Sequence, residues 1–359
     1  MRIANNHLTK KINAQTCAAI LIMTLLAGAA LWPLTRARAQ GNSSPSASAG
    51  VAAARKAGYE IDKKDQDPDS TDQVFLPSPD TVTATSYPFT SSSTALEDMS
   101  SGTTQLVAAN QDDTASAVTN IGFDVWFDGV RQTQFSVNAN GLMGLGAVAV
   151  NNGASGRTND FATATNNPKM SAYWDDLCTA STGKVHYKVV GSAPNRKLVV
   201  EWLNIVQFDN GTIACGTSIL GTWQVWLFET TGVVELVNGG TAINVDTGNA
   251  GYSVGIGSGA ASFASVTTTG PTVSYAASNN TQLNAIAAGT KYTFTPNVPA
   301  APTGLNFTAV SQVAMTLNWT DNATNEVGYA IYQSTDNVNF TFVTQTAANA
   351  TSQVVSGLS

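Results

Sequence analysis

Charge is scarce in this 359-residue chain: Asp, Glu, Lys and Arg together make up 11% of it, with two histidines and three cysteines. His7 and Cys17 fall within the first forty residues, which leaves His186 as the one imidazole, and Cys178 and Cys215 as the two thiols, of the remainder. A hydrolase triad would have to use His186, and no Gly-x-Ser-x-Gly elbow accompanies it. On a strand His186 would share a face with Lys184 and Lys188, which predicts a solvent-facing side chain. Beyond residue 39 no basic run exceeds two residues, which argues against an electrostatic grip on nucleic acid. Helical periodicity is also missing after that point; Ser92 to Met99 is the best candidate and is short.

What is present begins with an export signal. Arg2, Lys10 and Lys11 precede an apolar run from Ala18 to Leu31, and Ala37-Arg38-Ala39 has the small-x-small pattern of a cleavage site, with Gln40 as the mature start. The run is shorter than the ~20 residues a transmembrane helix needs, so residues 1–39 are expected to be a cleaved signal peptide. The long basic n-region, with Arg36 and Arg38 near the cut, keeps an uncleaved anchor as the alternative, and then as the only membrane contact. Removing 1–39 leaves twelve basic against twenty-four acidic residues, a net charge of −12. That acidity fits solubility outside the cell. In an oxidising compartment Cys178 and Cys215 are expected to pair; two buried free thiols are the alternative. The bridge is worth ~3–4 kcal/mol in the chain-entropy model.

From residue 40 to 85 the chain is Ser, Ala, Asp, Pro and Thr with few large apolar groups, a disordered linker or stalk. Beyond it, short segments rich in Val, Thr, Phe and Trp alternate with Gly and Asn turns. Phe123 to Phe127 meets a turn at Asp128-Gly129, and Gln134 to Val137 runs into Asn138-Ala139-Asn140-Gly141. Lys184 to Val190, Lys197 to Ile205, Trp223 to Glu229 and Val233 to Val237 read as further strands. Repeated strands at this spacing predict an all-β chain, a jelly-roll-like or double-sheet sandwich over 86–296. A connector with Pro296, Pro299 and Pro302 then leads to a second module, 297–359.

Few side chains carry chemistry. Asp175 and Asp176 follow two aromatics and are candidate ligands of a structural calcium; capping of turn amides is the plainer role. Glu201, Glu229 and Glu235 lie on predicted strands, and any two facing one cleft would make an acid/base pair. The glycines at 251, 255, 257 and 259 are followed by no helix, so tight strand packing explains them better than a phosphate loop. Trp126, Trp174, Trp202, Trp223 and Trp226 are expected to be mostly core, with a sugar-stacking platform as the other use. Trp223 and Trp226 should face opposite sides of their sheet.

Two stretches resemble known families. Ala301-Pro302-Thr303-Gly304-Leu305, Leu317-Asn318-Trp319, Val327 to Tyr332 and Val354 to Leu358 are similar in order and spacing to the fibronectin type III domain. The chain stops at Ser359, before the corner tyrosine and last two strands of such an immunoglobulin-like sandwich, so this module is expected to be truncated. Residues 86–296 resemble the nidogen-like β domain of bacterial surface proteins. That resemblance rests on Phe135 to Met143, on Tyr173-Trp174-Asp175-Asp176, on the strands at Leu198 to Trp202 and Trp223 to Glu229, and on Gly251 to Ile256. The resemblances imply a secreted or cell-surface adhesion protein that binds an extracellular protein or carbohydrate without catalysis and with no cofactor beyond that calcium. The alternative is the non-catalytic carbohydrate-binding or spacer part of a larger secreted polysaccharide-degrading enzyme.

Overall fold

The computed structural model describes residues 84, 87–209, 214–242, 251–297, 299–334 and 340–358, together with the backbone of 20–26. Most of the expected signal segment and all of the expected linker except Ala84 lie outside the described residues.

Among the described residues the first module is an antiparallel β sandwich. One seven-stranded sheet runs β2-β15-β11-β10-β9-β8-β3. Its strands are β2 (Phe89–Ser93), β3 (Thr104–Val107), β8 (Leu177–Val190), β9 (Lys197–Asp209), β10 (Ala214–Phe228), β11 (Val234–Thr241) and β15 (Thr290–Phe294). The other runs β14-β13-β12-β7-β6-β5-β4. It comprises β4 (Thr119–Phe127), β5 (Val130–Val137), β6 (Met143–Leu145), β7 (Lys169–Trp174), β12 (Ser253–Gly259), β13 (Ser262–Thr267) and β14 (Thr272–Ser274). One helical turn, α1 (Ala154–Arg157), interrupts the second sheet. At Ser92 to Met99, the best but short helical candidate, there is no helix: β2 runs through Ser93, and an irregular segment follows.

Alternation explains the packing. On β4, Ile121, Phe123, Val125 and Phe127 are buried while Asp124 and Trp126 turn outward. The inward set meets Val200 and Trp202 of β9, Trp223 and Val225 of β10, and Phe135 and Val137 of β5 in one core between the sheets. Truncating such a buried tryptophan typically costs ~3–5 kcal/mol. Each sheet also buries part of its outer face. Met99, Val199, Trp226 and Val237 cluster beneath the segment after β2, and Leu142, Val150, Phe161, Trp174 and Phe263 cluster on the other side. Trp223 and Trp226 therefore do face opposite ways, and both are buried.

The turns follow their residues. Asp128 and Gly129 have φ of 54° and 72°, the double positive φ that a two-residue hairpin requires. Gly255 has no alternative residue, since a Cβ there would lie 2.2 Å from Ala264 O, so the glycine-rich β12 serves strand packing.

A separate small core follows at Met315, Leu317, Trp319, Tyr329, Ile331 and Val355. One sheet there is β16 (Thr303–Thr308), β17 (Ala314–Thr320) and β20 (Ser352–Ser356), in that order. The other is β18 (Gly328–Ser334) between β19 (Thr341–Gln345) and β1 (Ile20–Leu26). The middle of the N-terminal apolar run is thus a strand, antiparallel to β18 from Ile20↔Ser334 to Leu26↔Gly328. Among the described residues no helix is long and apolar enough to cross a membrane.

Candidate functional site

The chemistry-bearing residues gather where the chain crosses between the sheets. β7 belongs to one sheet and β8 to the other, so Asp175 and Asp176 form the corner linking them. The Asn138-to-Gly141 turn packs directly on that corner. A Cβ on Gly141, whose φ is +88°, would lie 1.9 Å from Tyr173 O, so glycine is required. Asn140 fastens the two motifs together. Its Oδ1 accepts from Leu177 N at 2.7 Å, and its Nδ2 donates to Asp113 Oδ1 at 2.9 Å. Asn138 is equally committed, accepting from Leu142 N and donating to Asn151 O and Gly156 O.

Asp112, Asp113 and Asp176 each place one carboxylate oxygen within 4.8 Å of the others. Arg157, at the end of α1, answers them: Nη1 lies 2.9 Å from Asp113 Oδ2 and Nε 3.7 Å from Asp176 Oδ2. Partial burial, and then the charge of Asp113, raise the Asp112 carboxyl above its ordinary range. Asp175 is not in this triad; its Oδ1 accepts from Asp176 N at 2.9 Å, a local cap. The three carboxylates are a donor set for a hard cation such as calcium, and the Arg157 guanidinium already holds part of that place. Sequence reasoning singled out Asp176 but missed Asp112, Asp113 and Arg157. The adjacent acids at 112–113 were the available signal, but their meeting with Asp176 depends on strand pairing.

Beside this cluster Cys178 and Cys215 form a disulfide, with Cα atoms 5.8 Å apart, that ties β8 to β10. The pairing expected from sequence is therefore present.

His186 lies elsewhere, and its expected exposure is corrected: it is 1% exposed. The outer face of its sheet is covered by residues 94–101, so period-two alternation separates two buried faces there rather than an inside from an outside. His186 Nε2 lies 2.8 Å from Glu201 Oε2, and Gln224 Nε2 donates to Glu201 Oε1 at 2.7 Å. Gln224 also holds the covering segment: it accepts from Glu97 N at 2.9 Å and donates to Glu97 O at 2.8 Å. The other strand glutamates have separate partners, Arg196 for Glu229 and Lys291 for Glu235. The structure thus does not bring any two of the three together as an acid/base pair.

On the opposite sheet Lys169 is fully buried, a residue the sequence reading passed over. Its Nζ donates to Thr163 Oγ1 at 2.7 Å and to the carbonyls of Asp160, Thr163 and Thr165 at 3.0–3.2 Å. Burial pushes its pKa down to about 8.

These features define a disulfide-bonded, two-sheet β module. The chain belongs to the family described as NIDO related, whose model matches residues 86–296, more than half of its length. The nidogen-like resemblance is borne out over those residues. No curated protein and no solved structure matches the chain.

Proposed function

We propose that this is an exported binding or adhesion protein that works by noncovalent recognition and without catalysis. Residues 1–39 would be removed as a signal peptide and 40–85 would serve as a stalk. The observation that carries this reading is the fate of the reactive groups: His186 is buried against Glu201, which Gln224 holds in turn, and Cys178 and Cys215 are joined to each other. A disulfide of this kind fits an oxidising compartment. Cleavage after Ala39 would also take β1 away from the edge of β18.

We read residues 297–359 as a fibronectin type III domain. Supporting this, the first, second and fifth strands of the module, β16, β17 and β20, share one sheet, and the third and fourth, β18 and β19, share the other. Trp319 packs against Tyr329 in its core at 5.1 Å between rings. Modules of this type are frequent spacers in secreted polysaccharide-degrading enzymes, which keeps an accessory, non-catalytic role beside adhesion as the second reading.

Secreted protein is the material for the test. Its N-terminal sequence is expected to begin at Gln40, and it is to be offered immobilised extracellular proteins and insoluble polysaccharides, with hydrolysis assayed in parallel. Saturable retention on protein supports adhesion, and retention on polysaccharide supports the accessory role. Turnover by the chain alone would overturn both.

A further inference from the structure

We infer that the second module is docked on the first through a closed clasp of five side chains, and that the outward face of β4 and β5 is its docking surface. The clasp centres on the Tyr332 hydroxyl. That hydroxyl accepts from Trp126 Nε1 at 3.0 Å and donates to Asp124 Oδ2 at 2.9 Å. The same carboxylate oxygen receives Arg131 Nε at 2.8 Å. The Arg131 guanidinium lies 4.4 Å from the Phe342 ring centroid, and Phe342 meets the rings of both Trp126, at 6.1 Å, and Tyr332, at 5.6 Å. Asp124, Trp126 and Arg131 belong to β4 and β5, while Tyr332 and Phe342 belong to β18 and β19.

Each contact is modest by itself. A partly exposed ion pair is worth little, and sandwiches joined by a short connector move freely unless something opposes it. Here the contacts share atoms and close a ring, so each orders its neighbour. A short connector with prolines at 296, 299 and 302 keeps the two faces at high effective concentration, where weak contacts suffice. The clasp also explains why an outward tryptophan is tolerated on β4. Trp126 is a docking residue, which removes it from the platforms open to sugar stacking.

The test measures the spread of distances between nitroxides on Cys replacing Val148 and Val313, 82% and 61% exposed in the first and second modules, in the full chain carrying Cys17→Ser. One narrow distribution is expected in this parent. Trp126→Ala and Tyr332→Ala should each broaden it at least twofold. If circular dichroism shows that either alanine variant is unfolded, Trp126→Phe and Tyr332→Phe, which keep a ring and lose the hydrogen bonds, are read in its place. A broad distribution in the parent, or variants that fold and stay as narrow as the parent, would overturn the docking.

Discussion

The two sheets of the first module solve one problem in opposite ways. Each buries part of its outer face beneath an irregular segment, and each buries a titratable side chain there. Under residues 94–101, His186 meets a carboxylate, Glu201, which a cross-strand glutamine also holds. Under residues 158–168, Lys169 donates to carbonyl and hydroxyl oxygens, and the Asp160 carboxylate acts on it through its charge without a direct ion pair among the described contacts. A carboxylate brings a full opposing charge but must itself be desolvated; neutral dipoles escape that penalty but balance the ammonium less completely. The first sheet is further joined by the Cys178–Cys215 bridge. The comparison teaches that the His186 side is held by one directed side-chain contact to a carboxylate, whereas the Lys169 side wraps a buried ammonium in oxygens of the covering segment, and burial lowers its pKa to about 8.

The disulfide gives the sharpest way to break this contrast. Replacing both cysteines by serine should cost about 4 kcal/mol in the chain-entropy model for a separation of 37 residues. In denaturant unfolding followed by hydrogen exchange, amides of β8 to β10 should lose protection well before those of β12 and β13. Uniform loss over both sheets would show that the bridge does not favour one side. Next in size is Glu201→Ala, which strands His186 and Gln224 and should cost about 3 kcal/mol. Glu201→Gln keeps one hydrogen-bonding shape and should cost less, about half as much. Equal losses in the two variants would mean that the hydrogen-bonding shape contributes nothing and that the carboxylate charge alone holds the pair.

Strands and turns were legible in the sequence because their signals are local. Asp128-Gly129 had to be a hairpin turn, and Trp223 and Trp226 had to part company on a strand. Cys178 and Cys215 were legible as a pair because they are the two thiols beyond the first forty residues. His186 was misread because alternation with Lys184 and Lys188 tells which residues share a face and leaves open what covers it; the cover here is a segment some ninety residues away. The site was half legible for the same reason. Asp176 was visible beside two aromatics, yet Asp112, Asp113 and Arg157 join it through a sheet-to-sheet corner that no periodicity encodes. If calcium competes with Arg157 there, Arg157→Gln should show a larger calcium-induced rise in melting temperature than the parent. An identical response in both would leave the guanidinium outside the site.

The smallest expected effect tests the other half of the comparison. Lys169→Met replaces a buried ammonium by a chain of similar length, and its cost near pH 7 should stay within about 1–2 kcal/mol of zero, because the desolvation penalty disappears with the lost hydrogen bonds. Its mark lies in the pH profile. The folded Lys169 releases its proton near pH 8, while the unfolded lysine keeps it to about 10.5. Between these values the unfolded state binds more protons, so stability should rise with pH; below about 8 both states are protonated and this lysine adds no slope. Toward pH 10 the buried tyrosines reverse the trend. Tyr252 is pushed up to about 12, and Tyr87 and Tyr292 higher, all by burial first, so the unfolded phenols ionise while the folded ones stay neutral. Urea unfolding from pH 7 to 10.5 should therefore give a rise and then a fall in the parent, and the fall alone in Lys169→Met. A parent and variant with the same slope between pH 8 and 9.5 would mean that the surrounding oxygens and the Asp160 charge fully offset the burial of the Lys169 ammonium, and the contrast between the sheets would not stand.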